Sequence, residues 1–571
     1  MLSFRSLPAF VTIVGLPLGW HLPAIAQITA SPNSTTLVTP NAQNQLAITG
    51  GIQAGSNLFH SFEQFGLNQG QAANFQVNES IANILGRVTG NQASVIDGQL
   101  SVSGSNANLY LMNPQGILFG PNVQLNLPAG FTATTANAIG FGQNWFSTIG
   151  NADFSRLVGT PTQFAFTSAT SGAIVNMGNL TLQPNQSLAL LGGTVINTGK
   201  IQTPGGTVTI AATFGEKLLR FTPQGGLLSL ELPVADKINL GTGVEPLSLG
   251  TLLAQGNATN VAIVDGKVRL TGADVTVPAT PGTALVNGEI SVASDAEKAG
   301  EIKVTGDRLG LFSAKLNASG AEGGGTILVG GEFQGKGELP NAQRTVVDRN
   351  TQIQANAIRQ GDGGRVILWA DGTTAFSGEI DAQSVTGKGG FVEVSGKQNL
   401  NFTGEVDVNS GSGQAGALLL DPAIVTIDDF AVNDNAQLDD GQILASDTPG
   451  GNFIIHPDKI EQLLNTNTNV SISATDEIRL GILGSIDASG SGSLSLSAPS
   501  MRFETFRNNA IEIAGNFNLN LTGNSPVEIT RDFTAQQINI QSSNALTLNG
   551  FRTIASDQIR IQAPTISLNS D

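Results

Sequence analysis

Nucleophilic or zinc chemistry needs histidines, cysteines or paired carboxylates brought together, and this sequence supplies few of them. Cysteine is absent from all 571 residues. Past the N-terminal apolar run, the only histidines are His60 and His456, in unrelated contexts. His60, between Phe59 and Phe62, reads as a packing or turn residue, and His456 abuts a helix start. A histidine-activated nucleophile or a zinc site is therefore not expected. The richest acidic cluster is Asp421, Asp428, Asp429, Asp434, Asp439 and Asp440, irregularly spaced among Asn and Gln. It reads as a solvated loop, at most a weak calcium site, since carboxylates and amides together suit oxygen coordination. The Gly-Gly-x-Gly-x-Asp repeats of calcium-binding rolls do not occur. The expectation is no enzyme, no metal and no cofactor.

The first residues set the compartment. Arg5 precedes an apolar run from Leu7 to Leu22 that ends in Ala24-Ile25-Ala26, a small-x-small cleavage site. Residues 1–26 are expected to be a signal peptide. Pro8, Pro17 and Gly19 interrupt the run, which is short for spanning ~30 Å of hydrocarbon. No later window is apolar enough to cross a bilayer. The missing cysteines fit a chain threaded unfolded through a pore, and equally a long repetitive core that needs no staple. The formal net charge of -17, from 27 Lys and Arg against 44 Asp and Glu, argues against nucleic acid.

With no catalytic constellation to position, the elements themselves carry the message. A glycine followed by apolar residues two and four places later recurs, a spacing that puts both side chains on one face of a strand. It reads Gly206 with Val208 and Ile210, Gly300 with Ile302 and Val304, and Gly325 with Ile327 and Val329. It continues as Gly364 with Val366 and Leu368, Gly390 with Val392 and Val394, and Gly416 with Leu418 and Leu420. A second register begins at Gly378 and Gly404, giving two strand signals per repeat. A unit this short cannot bury its own apolar face and must stack on its neighbours, as in a solenoid. Coils rising about 4.8 Å each build a rod on the order of 100 Å.

A blade-like sandwich array calls for frequent Asn-Gly hairpins. Asn-Gly occurs only at Asn287-Gly288 and Asn549-Gly550. One short lateral helix is expected near 457–466, where Asp458 and Glu461 have capping-box spacing ahead of Leu463 and Leu464. Strict alternation then resumes to Ile566 and Leu568, leaving no room for a separate effector domain.

Residues 44 to 145 resemble the secretion domain of two-partner-secretion exoproteins, the haemagglutination-activity domain of filamentous haemagglutinin. The resemblance rests on Ser56-Asn57-Leu58-Phe59-His60-Ser61-Phe62, on Ile84-Leu85-Gly86-Arg87-Val88-Thr89-Gly90 and on residues 107–117. The last stretch contains Asn113-Pro114-Gln115-Gly116, similar to the family's Asn-Pro-Asn-Gly turn with Gln115 in place of the usual Asn. Proline fixing one φ and glycine allowing a left-handed residue make this a tight corner, expected at the surface, where the Asn113 amide can contact a partner directly. Segments 157–182, 188–199 and 363–422 are similar to parts of large adhesins of this kind.

The resemblance implies an all-β chain, a right-handed parallel β-helix led by a secretion domain. Residues 27–150 are expected to be that domain, 151–422 β-helix repeats, and 423–571 further β-helix with the helical insertion. It also implies export across the outer membrane through a partner barrel whose periplasmic domains recognise the unfolded N-terminal region. The product is then secreted or displayed on the cell surface. Asn113, Pro114, Gln115 and Gly116 are the candidate recognition motif, and host-cell or matrix surfaces the candidate ligands. Two other readings stand beside it: a β-helix polysaccharide-processing enzyme, and the truncated stalk of a contact-dependent toxin.

Overall fold

A computed structural model describes residues 28–41, 45–150, 152–222, 226–231, 246–256, 258, 260–264, 267–270, 275–278, 280–411, 414–428, 453–481, 485–503, 510–523, 527–529, 532–549 and 553–569. The leader expected over 1–26 lies outside these residues.

The glycine-led strands stack in parallel and in register. Leu58, Ile84, Leu109, Phe131, Leu188, Val208, Ile302 and Ile327 each face the next across successive coils. The same column continues through Val366, Val392, Leu418, Val470, Leu494, Phe517, Ile538 and Ile559. Every member but Ile559 is buried in one continuous core. The chain is a parallel β-helix, as its strand alternation implies.

Each complete coil carries three strands rather than the two read from the glycine spacing. One coil runs Arg365–Ala370, Thr373–Phe376 and Glu379–Asp381, and the next Phe391–Gly396, Asn399–Phe402 and Glu405–Asp407. The middle strand escaped notice because its buried positions include threonines. Thr374 is buried because its hydroxyl donates to the Ser395 carbonyl at 2.7 Å. Inside the same strand Phe376 stacks on Phe402 of the following coil, with ring centroids 5.6 Å apart.

The repeated glycines are required by close approach, not by unusual backbone angles. A Cβ on Gly364 would lie 2.4 Å from the carbonyl oxygen of Gly325, and one on Gly390 2.4 Å from that of Gly364. Only hydrogen fits where consecutive coils touch at this corner.

Two additions cover outward faces of the helix. The antiparallel strands Ala138–Phe141, Asn144–Ser147, Gln163–Phe166, Lys217–Phe221 and Leu227–Glu231 pack Ile139, Phe146, Phe164 and Leu219 over Phe59 and Leu191. The helix Leu249–Gln255 and strands Val261–Val264, Lys267–Leu270 and Val275–Pro278 cover Leu118, Val175 and Leu285. Ile367 accordingly points outward, as its parity requires, yet is fully buried beside Leu339 and Trp369.

The lateral helix is Pro457–Asn465, with Ile460, Leu463 and Leu464 buried. Its start differs from the expected capping box. His456 is the N-cap, and its Nδ1 accepts from the Asp458 N–H at 3.3 Å. Glu461 turns instead to the next coil, where Oε1 accepts from the Asp487 N–H at 2.8 Å.

Candidate recognition corner and asparagine ladder

The strand Asn108–Met112 delivers the chain into the corner, and Ile117–Phe119 takes it away. The Gly116 N–H donates to the Asn113 carbonyl at 3.1 Å, closing the tight turn, and Gly116 has φ +129. The Asn113 amide is satisfied on every side. Its Nδ2 donates to the Gln92 carbonyl and to Ser94 Oγ, both at 3.0 Å, while Oδ1 accepts from the Gln115 N–H at 3.0 Å. Both donors and an acceptor are used, so aspartate cannot substitute without losing two bonds.

The corner is not on the surface. Asn113 is fully enclosed, and Pro114, Gln115 and Gly116 are buried with it. The lateral segment lies over them: the Leu247 N–H donates to the Gln115 carbonyl at 3.2 Å, and a Cβ on Gly116 would meet Leu252 at 3.3 Å. The sequence alone suggested an exposed amide at a coil corner. The covering segment, more than a hundred residues later in the chain, removes that exposure.

A second feature unites the three stretches that carry the family resemblance. Asn57, Asn83 and Asn108 occupy the same register position on consecutive coils. Asn108 Nδ2 donates to Asn83 Oδ1 at 3.0 Å, and Asn83 Nδ2 to Asn57 Oδ1 at 2.8 Å. Asn57 Nδ2 reaches the carbonyls of Leu157 and Gly159 at 2.8 Å each, and Asn108 Oδ1 accepts from the Gly130 N–H at 2.9 Å. This ladder was not singled out from sequence. The signal available was an asparagine at the head of each stretch.

His60 is buried between Phe62 and Phe75, with Nδ1 3.2 Å from Thr36 Oγ1. Burial pulls its pKa down to about 4, so it is a neutral core residue. His60 and His456 are not brought together. Asp421, expected in a solvated loop, is buried, and burial raises its pKa. It receives Gln334 Nε2 at 3.2 Å. Asp429, Asp434, Asp439 and Asp440 lie outside the described residues. Among the described residues no group of three or more His, Cys, Asp or Glu is arranged to hold a metal ion, and no helix is long and apolar enough to cross a membrane.

Residues 26–239 match the family described as the TPS secretion domain. The chain carries a TPS secretion domain over these residues. The chain is 25% identical over 298 residues, 48% of its length, to the heme/hemopexin-binding protein of Haemophilus influenzae. It spans 30% of that relative's length. Among solved structures it is similar to the HMW1 secretion domain from Haemophilus influenzae, at 23% identity, 68% coverage of this chain and 98% of that one, with a TM-score of 0.39. It is also similar to the filamentous hemagglutinin secretion domain, at 13% identity, 68% and 99% coverage and a TM-score of 0.27. These relatives are named for binding and secretion, not for catalysis.

Proposed function

We propose that residues 27–150 are read by periplasmic domains of a cognate outer-membrane barrel before they fold, and that the β-helix then displays adhesive surfaces to host cells or matrix. The observation that carries this reading is the enclosure of Asn113, Pro114, Gln115 and Gly116. A motif buried in the folded state can be contacted by a partner only while the chain is open. Folding outside then removes it from the partner and gives export a direction.

In this reading residues 151–422 and 423–571 differ from the first segment in role rather than in fold, since one apolar column runs through all three.

The test is export of Asn113→Ala and Gln115→Asn from cells co-expressing the cognate barrel, paired with refolding of each purified variant. Recognition of the open chain requires Asn113→Ala to stay inside cells even when an added stabilising substitution restores its melting temperature. Normal export of Asn113→Ala overturns the role of the motif.

A further inference from the structure

Away from the corner, a cavity of about 550 Å³ is built where three elements meet. Its walls come from the turn after strand Thr207–Ala212, the lateral strands Lys217–Phe221 and Leu227–Glu231, and the loop that follows strand Thr326–Val329. The volume is in the range that holds a small ligand.

The lining is rich in acceptors that are already fixed in place. Asp371 Oδ1 accepts from Asn341 Nδ2 and Trp369 Nε1, each at 3.1 Å. Glu338 Oε2 accepts from Thr222 Oγ1 at 2.7 Å, and the Glu338 and Leu339 N–H groups are held by Glu332 Oε1 at 2.8 Å. Asp307 adds a third carboxylate, its Oδ2 paired with Arg308 Nε at 3.7 Å. Among the described residues of the lining the cation is Lys217, paired with Glu231. Thr213 lines the cavity, is buried, and has a hydroxyl with no partner among the described residues. Phe214 lines it too but is 62% exposed, so its ring stands at the mouth.

We propose that this cavity binds a neutral sugar residue of a surface glycan. The inference rests on the adhesive reading above and gives it a site. Sugar hydroxyls both donate and accept, matching carboxylates, an amide and the hydroxyls of Thr213 and Ser229. The apolar face of a sugar ring suits the exposed ring of Phe214. Sulfated or sialylated groups meet three carboxylates and no unpaired cation. An ammonium only donates, and leaves the wall hydroxyls without a group to give their protons to.

The purified full chain is applied to an array of neutral, sialylated and sulfated glycans, and the best neutral oligosaccharide is then titrated calorimetrically, with spermine as the cationic probe. Neutral glycans should bind, and Phe214→Ala and Asp307→Asn should each weaken binding at least tenfold. Ile358→Ala, exposed on another part of the rod, should leave it unchanged. If Phe214→Ala lowers the melting temperature, the isosteric Asp307→Asn decides. Binding of spermine or of acidic glycans alone, binding of nothing, or unaffected variants each overturns the proposal. Adhesion of cells displaying the protein is scored separately. If they adhere while the purified chain binds no neutral glycan, the cavity assignment fails and the adhesive function stands.

Discussion

Asn83 Nδ2 donates to Asn57 Oδ1 at 2.8 Å across the interface of two consecutive coils, and Asn83 Oδ1 in turn accepts from Asn108. The ladder ties the three stretches that mark the secretion domain to one another and, through Asn57, to the carbonyls of Leu157 and Gly159.

Asn83→Ala removes the centre of that ladder, leaving the buried Asn57 Oδ1 without its partner and the half-buried Asn108 Nδ2 with only the Ala82 carbonyl at 3.5 Å. Buried polar groups left unpaired cost about 1–3 kcal/mol each. Urea titration should show Asn83→Ala destabilised by about that amount or more. A change within about 0.5 kcal/mol, as for an ordinary surface site, means that water satisfies the ladder equally well.

Val366 and Arg365 test the strand register. Val366 is fully buried in the central column, whereas the exposed Arg365 lays its guanidinium over Phe333 and Phe391 at 5.3 and 5.4 Å. Val366→Asp buries a charge and should cost several kcal/mol. Arg365→Ala forfeits exposed cation–π contacts worth about 0.5–1 kcal/mol each. Similar losses for both in denaturant titrations contradict the register.

The pH dependence should hold two opposed contributions. Burial raises the Glu393 carboxyl from 4.5 to about 7, against the Gln334 N–H and Ser395 hydroxyl bonds, which favour the charged form. Between these values the folded state binds more protons than the unfolded one, so this contribution is present at low pH and lost as pH rises through 7. Glu393→Gln should therefore gain in melting temperature relative to wild type on going from pH 5 to pH 8. A constant difference between the two proteins rules the raised carboxyl out.

His60 has the opposite sign. Burial lowers its pKa from 6.5 to about 4, so the unfolded chain binds the extra proton in that interval. Its contribution is full above pH 6.5 and disappears as pH falls through 4. His60→Gln should be less stable than wild type at pH 7.5, with the gap closing toward pH 4. NMR titration of the His60 ring with a midpoint near 6.5 removes the basis for this expectation.

The close approach of coils can be tested at Gly390. A Cβ there lies 2.4 Å from the Gly364 carbonyl oxygen and 2.6 Å from the Ala382 Cβ. Gly390→Ala should cost about 1–3 kcal/mol through overpacking. Gly142→Ala, with nothing within 4 Å but φ +65, isolates backbone strain alone, of order 1–3 kcal/mol at most. The first should strain and misalign neighbouring coils, seen as faster amide exchange along Val366–Leu368, and the second should not.

Periodicity along the chain determined the β-helix. Strand parity is a local property, and a glycine with apolar residues two and four places on states which side chains face inward before any partner is known. The secretion domain was legible for a different reason, since residues 56–62, 84–90 and 107–117 resemble the family's own stretches. What lies over the coils was not legible. Ile367 reads as outward and proves buried, and Asn113 reads as an exposed corner and proves enclosed. In both cases the covering residues, Leu339 on a loop for one and Leu252 on the helix over Gly116 for the other, come from segments whose docking side no local pattern records. Burial is decided by contacts between segments far apart in the chain, and only the assembled tertiary structure brings those segments together.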